Sequence, residues 1–201
     1  MAYLPLMLDL TGIPALVVGG GEVALRKVGV LLEAGADLSV VTPWARDEIV
    51  RLAGRGELRL VSRTYEDADL EGVRVVVAAT DCPSVNTAVC AEASRRGIWA
   101  NSVDGPEGSS ALFPALLRRG DLVVAVSTSG GLPSLSRRLK EHLGRRIGAD
   151  WRDRIEEICA LRQEILRKFG DDEMRKRRQL EDVVGTRIDE LMRDLDRGEA
   201  P

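Results

Sequence analysis

The sequence predicts an α/β fold, a parallel sheet with helices on both faces, and three observations carry that prediction. Short β-rich runs alternate with longer helix-compatible segments through the first hundred residues, the rhythm of βαβ units. The run "VVVAA" at 75–79 shows no in/out alternation, as expected of a strand covered on both faces. The segment "VVGGGEVALRK" at 17–27 places three glycines between the first β-rich run and the first helical segment.

The expected strands, in order, are "ALVVG" (15–19), "LSVV" (38–41), "LRLV" (58–61), "VRVVVAAT" (73–80) and "IWANSV" (98–103). The fourth is expected to be central. "DLVVAVST" (121–128) reads as a further strand, and "PSLSRRLKEHLG" (133–144) as a helix opened by Pro133 and closed by Gly144. Beyond about residue 150 the pattern becomes helical: Ile155, Ile158, Leu161, Ile165 and Phe169, then Leu180, Val183, Val184, Ile188, Leu191 and Leu195, recur near helical spacing. Gly170-Asp171-Asp172 is the expected break between those two helices. The expected organisation is a Rossmann-like α/β domain over 1–113, an intervening segment over 114–150 and a small helical domain over 151–201.

Composition narrows the function classes. With 29 basic and 32 acidic residues the net charge is −3, so no global field favours nucleic acid or an anionic membrane. The basic run "MRKRRQ" (174–179) is crowded by acidic residues and reads as a solvated helix face. No apolar run is long enough to span a bilayer, and Cys82, Cys90 and Cys159 match no zinc spacing. The expectation is a cytoplasmic protein with reduced thiols, no nucleic-acid or membrane partner and no resident metal. The single histidine, His142, lacks partners at ligand spacing.

Gly19-x-Gly21-x-x-Ala24 is the Ala variant of the dinucleotide fingerprint. Gly19 permits a tight turn, Gly21 lets a pyrophosphate approach the backbone, and Ala24 lets helix and strand pack closely. The helix N-terminus supplies amides and dipole for the phosphates. An acidic residue normally ends the second strand of an NAD site, but here that strand ends in Val41-Thr42-Pro43. Thr42 can hydrogen-bond a ribose yet cannot repel a 2′-phosphate, and Arg46 would accept one. The preference is for NAD, with NADP left open. Thr80 and Asp81 end the expected central strand, at the sheet edge where α/β folds bind ligands, and are placed to touch the cofactor; capping of the next helix is the plainer alternative, and Asn86 supports that loop. Asp104 ends another strand before a Gly-Pro turn, with its side chain free to face the same cleft or simply to form the turn.

The ordered set "YLPLMLDLTG", "VVGGGEVALRK", "LLEAGADLSVV", "AATDCPSVN", "NSVDGPE" and "VAVSTSGGLPSLSRRLKE" resembles the precorrin-2 dehydrogenase/sirohydrochlorin ferrochelatase family, the siroheme-synthase module, over residues 3 to about 145. The resemblance implies NAD-dependent oxidation of precorrin-2 to sirohydrochlorin and, in some members, insertion of Fe2+. It also implies a homodimer with intertwined central segments, which makes 114–150 the dimerisation segment, and an active site between the sheet and the helical region. It makes Asp104 the catalytic residue. Gly21, Glu22, Val23, Thr42 and Pro43 correspond to cofactor contacts. Ser127, Thr128, Ser129 and Gly130 correspond to a loop lining the tetrapyrrole site, with Thr128 where some relatives have serine. The residues suit an anionic substrate: Arg118, Arg119, Arg137, Arg138 and Lys140 cluster in sequence, and arginine pairs bidentately with carboxylates. Two alternatives stand beside this reading, a dehydrogenase without chelatase activity and a non-catalytic dinucleotide-sensing module.

Overall fold

The computed structural model describes residues 3–170 and 172–197, and the chain divides into two units between Phe113 and Pro114. The first unit is a five-stranded parallel sheet in the order β3-β2-β1-β4-β5, formed by β1 (Pro14–Val18), β2 (Asp37–Val41), β3 (Arg59–Val61), β4 (Val75–Ala78) and β5 (Trp99–Ser102). Helices α1 (Glu22–Glu33), α2 (Asp47–Gly54) and α3 (Pro83–Arg95) and a 3-10 turn at Asp67–Leu70 connect them.

Alternate residues of each strand feed two cores. Ala15, Val17, Leu38, Val40, Val75 and Val77 pack against Val28, Leu31 and Ile49 of α1 and α2. Leu16, Val18, Val76 and Ala78 pack against Val89, Cys90 and Ala93 of α3. This two-sided burial is why "VVVAA" lacks alternation. Each fully buried Val, Leu or Ile contributes about 1.5–3 kcal/mol relative to exposure.

The outer edge of β5 is closed by the chain that follows it. Ala100 N–H donates to Ser110 Oγ at 2.8 Å and Ser102 N–H to Ser109 Oγ at 2.9 Å, while Ala100 O accepts from Ser110 N and Ala111 N. Two serine hydroxyls thus satisfy backbone donors that would otherwise template strand addition.

The second unit opens with an antiparallel hairpin, β6 (Ala115–Arg119) and β7 (Leu122–Val126), turning at Gly120, whose φ is +58°. Helices α4 (Pro133–Arg146), α5 (Trp151–Lys168), α6 (Glu173–Gln179) and α7 (Thr186–Arg197) follow, with a π-helical turn at Leu180–Gly185 joining the last two. Leu117, Ile147, Trp151 and Leu191 form the centre of its core, so hairpin and C-terminal helices share one packed interior. Asp171, within the expected helix break, lies outside the described residues; α5 ends at Lys168 and α6 begins at Glu173.

One feature was not anticipated, the strand at 115–119. It pairs with the expected strand within 121–128 as a hairpin, because two residues link β6 to β7, enough for a hairpin and far too few for a parallel crossover. Pro114 and the Arg118-Arg119 pair mask the β-pattern of "ALLRR". The basic run on α6 is paired along the helix, Arg177 with Glu181 at 3.0 Å, Arg178 with Asp182 at 3.7 Å, and Arg175 with Asp172 at 3.3 Å. Among the described residues no helix is long and apolar enough to cross a membrane.

Lys27, on α1, carries a stability prediction. Burial lowers its ammonium to about pKa 8, with Arg26 adding a smaller push in the same direction, while its Nζ sits 4.1 Å from the centre of the Phe113 ring. Between that value and the ordinary 10.5, the unfolded chain holds a proton that the native chain has released, so stability rises with pH across this window. Lys27→Met is expected to raise stability at pH 7 by ~1 kcal/mol, after allowing for residual solvation and the favourable ring face. Urea denaturation at pH 7 and pH 9.5 checks it, the difference between variant and wild type shrinking at the higher pH.

Candidate active site and dinucleotide site

The glycine loop sits where the sheet order reverses, between β1 and β4, the position at which open α/β sheets bind ligands. Gly19 has φ +123°, and a Cβ there would lie 2.2 Å from Ala79 O. Gly20 is equally constrained, because its Cβ would lie 2.1 Å from Trp44 O. Gly21 is different. It caps α1 with φ −80°, and a Cβ added there meets nothing within 4 Å. Gly19 and Gly20 therefore let the loop press against the chain, while Gly21 leaves open space before the helix. The first-turn amides of α1, at Glu22, Val23 and Ala24, have no intrahelical acceptor. Open space facing unpaired donors fits a dinucleotide pyrophosphate.

Around the loop lie the other expected cofactor residues. Thr42 is buried, and its hydroxyl donates to Trp44 O at 2.6 Å while accepting from Trp44 N–H at 3.4 Å. Thr42 was expected among the cofactor contacts; its hydroxyl closes the turn that brings Trp44 against Gly20. Pro43 is exposed beside it. Arg46 lies between two carboxylates, 3.1 Å from Glu22 and 3.4 Å from Glu48, and its backbone N–H donates to Gly20 O at 3.0 Å.

After β4 the chain turns at Thr80. The buried Asn86, in the first turns of α3, clamps it: Asn86 Oδ1 accepts from Thr80 N–H at 3.1 Å and lies 2.8 Å from Thr80 Oγ1, and Asn86 Nδ2 donates to Thr80 O at 3.0 Å. The same nitrogen donates to Asp104 Oδ2 at 2.8 Å. Asp81 is exposed at the tip. Asp104 follows β5 and is itself exposed, and its loop is braced by Ser109 Oγ donating to Gly105 O at 3.2 Å and by Asp104 N–H donating to Ser102 Oγ at 3.2 Å. A groove of about 640 Å³ opens here, lined by Asn86, Thr87, Cys90, Asp104, Pro106 and Glu107 among others. The carboxylate also touches the surrounding electrostatics. Burial, helped by Asp104, pushes the Cys90 thiol up, whereas the Ser84 hydroxyl lowers that of Cys82.

The expected substrate residues lie in the second unit. Thr128 Oγ1 accepts from Leu132 N–H at 2.9 Å and from Ser136 Oγ at 3.4 Å, and Ser127 Oγ accepts from Ser129 N–H at 3.1 Å. Ser129, at φ +54°, and Gly130, at φ +83°, form the sharp turn into α4. Arg118, Arg137 and Arg138 are exposed, and none is ion-paired among the described residues.

Arg119, also expected at the substrate site, makes backbone contacts within the second unit. Its Nε donates to Ile147 O and Gly148 O, both at 2.9 Å, and its Nη2 to Gly144 O at 3.3 Å. The guanidinium binds the carbonyl-rich C-terminus of α4. Arg119→Ala is expected to cost the second unit about 1.5–3 kcal/mol, visible as a lower thermal midpoint with ligand affinity unchanged.

A family profile described as "Putative NAD(P)-binding" matches residues 6–115. Siroheme synthase of Methylococcus capsulatus is 44% identical across 77% of this chain, and siroheme synthase of Chromobacterium violaceum is 42% identical across 88%. The chain spans little more than a third of those relatives' length, 35% and 38%. The solved structure of SirC, precorrin-2 dehydrogenase, superposes with a TM-score of 0.76 at 27% identity, covering 97% of this chain and all of that one. The chain belongs to the siroheme synthase/precorrin-2 dehydrogenase family.

Two functional features of this family member were missed in the sequence. Gly20 was passed over because the fingerprint counts only its neighbours, and the need for a missing Cβ became visible only with Trp44 folded over it. Asn86 was read as loop support alone. Its link to Asp104 spans 18 residues and strand β5, and no local pattern encodes it.

Proposed function

We propose that the protein oxidises precorrin-2 to sirohydrochlorin with NAD as hydride acceptor and with Asp104 as the catalytic base. The observation that carries this reading is the Asp104 carboxylate beside the Thr80 turn, at the sheet edge that also holds the glycine loop. Removing two hydrogens from the tetrapyrrole releases one hydride and one proton. The bound nicotinamide supplies the hydride acceptor. Asp104 takes the proton, a role that a carboxylate outside the apolar core fills and then discharges to water.

The preference for NAD over NADP rests on Arg46 and Glu22. Glu22 and Glu48 already engage the Arg46 guanidinium, and the Glu22 carboxylate adds repulsion toward a 2′-phosphate. In the second unit, exposed Arg118, Arg137 and Arg138 suit the carboxylates of the substrate and product. The exposed Leu132, which caps α4, and Leu135 and Leu139 on that helix recur near helical spacing and suit a homodimer contact. Insertion of Fe2+ into sirohydrochlorin is an added activity in which Asp104 receives the displaced protons.

The test is anaerobic turnover of precorrin-2 by the purified protein with NAD and, separately, NADP, followed by a metal-insertion assay on sirohydrochlorin. The reading expects NAD-dependent product and a preference for NAD of at least about tenfold. Binding of NAD without turnover of precorrin-2 would favour a dinucleotide-sensing module. Turnover without metal insertion would leave a dehydrogenase alone.

A further inference from the structure

We propose that Asn86 is the positioning residue of the reaction, holding Asp104 Oδ2 as a hydrogen-bond acceptor so that Oδ1 is the atom that receives the substrate proton. The inference rests on the assignment of Asp104 as the base and goes beyond it.

The side-chain amide of Asn86 is saturated and oriented. It is wholly buried. Its oxygen must face the Thr80 N–H at 3.1 Å, because that backbone group can only donate. The nitrogen is thereby directed to Thr80 O at 3.0 Å and Asp104 Oδ2 at 2.8 Å, which uses both of its hydrogens. The flipped amide would set its oxygen against two acceptors and its nitrogen against a donor, so one orientation survives. Asp104, itself exposed at the end of β5, gains a fixed rotamer from a buried group on α3. The same amide grips the turn after β4, so the base and the Thr80 turn are referenced to a single side chain. With Oδ2 engaged, Oδ1 is left to act.

Other ionisable groups face Asp104: Cys82 and Cys90 from the α3 segment, and Glu107 across the groove. The thiols bear on the alkaline side of a pH profile, and all three groups are common to every variant below.

The experiment measures kcat/KM for NAD-linked oxidation of precorrin-2 from pH 5 to pH 9, by wild type, Asn86→Asp and Asp104→Asn. In Asn86→Asp a second carboxylate stands against Asp104 Oδ2, and like charges at that distance favour retention of a proton. The acidic limb is expected to move up by about one pH unit or more. A purely structural asparagine would lower the rate equally at every pH and leave the limb in place, and that result overturns the proposal. Should Asn86→Asp fail to fold, the split between kcat and KM in Asn86→Ala decides instead. Loss of the donor that fixes Asp104 Oδ2 is expected to lower kcat with KM for precorrin-2 unchanged, and an unchanged kcat is contrary. If Asp104→Asn turns over like wild type, the catalytic reading fails and this proposal with it. If Asp104→Asn is inactive and the limb is unmoved, only the role of Asn86 fails.

Discussion

Asp104→Asn is expected to lower kcat for precorrin-2 oxidation by about a hundredfold to ten-thousandfold, the usual contribution of a positioned base. The amide keeps the shape and can still accept from Asn86 through its oxygen, so the groove is preserved. What it loses is the ability to take a proton. Because Asp104 is exposed and outside both cores of its unit, the thermal midpoint is expected to stay within about 2 °C of wild type. Dinucleotide affinity, measured by fluorescence or calorimetry, is expected to change by less than about twofold, since no part of the glycine loop depends on this carboxylate. A variant that binds NAD normally, melts normally and fails to turn over isolates the chemical step. One that retains wild-type kcat would remove Asp104 from the mechanism.

The second large effect separates two glycines that the fingerprint treats alike. Gly19→Ala is expected to destabilise the first unit by more than ~3 kcal/mol, because it combines a positive φ with backbone contact at Ala79, just past β4. The added Cβ would fall 2.2 Å from Ala79 O and 2.6 Å from Ala79 C, so the backbone one residue past β4, held by Ala79 N–H donating to Val18 O, would have to shift. Gly21→Val is expected to leave stability nearly unchanged. Its φ of −80° suits any residue, and nothing stands within 4 Å of the new Cβ. Its cost falls on the ligand: the isopropyl group fills the space before the α1 amides, and affinity for NAD is expected to drop at least about tenfold. Urea denaturation and NAD titration of both variants check the pair. Loss of stability in Gly21→Val, or a stable Gly19→Ala, would contradict this division of roles.

The parts of the fold legible in the sequence were those written in local periodicity. Strands β1, β2, β4 and β5 each carry an apolar run bounded by turn residues, and the parallel sheet follows from the helical lengths between them. The hairpin was harder to see, since β6 is short, follows Pro114 and ends in two arginines, so its β-character depends on pairing with β7. In the site, Gly19, Gly21 and Asp104 could be singled out because turn geometry and strand ends leave marks in sequence. The committed hydroxyl of Thr42, the carbonyls that Arg119 binds and the clamp formed by Asn86 could not. Each depends on a partner brought close by the tertiary fold, and in each the residue type alone suits a ligand as well as it suits the backbone.

The most direct test of the central claim is the stoichiometry of a single anaerobic turnover, with NADH absorbance and the sirohydrochlorin spectrum recorded together after mixing enzyme, NAD and precorrin-2. The account predicts that the two products appear at the same rate and in equal amounts, and that neither appears with Asp104→Asn. Sirohydrochlorin forming without NADH, or no reaction in the presence of bound NAD, would contradict it.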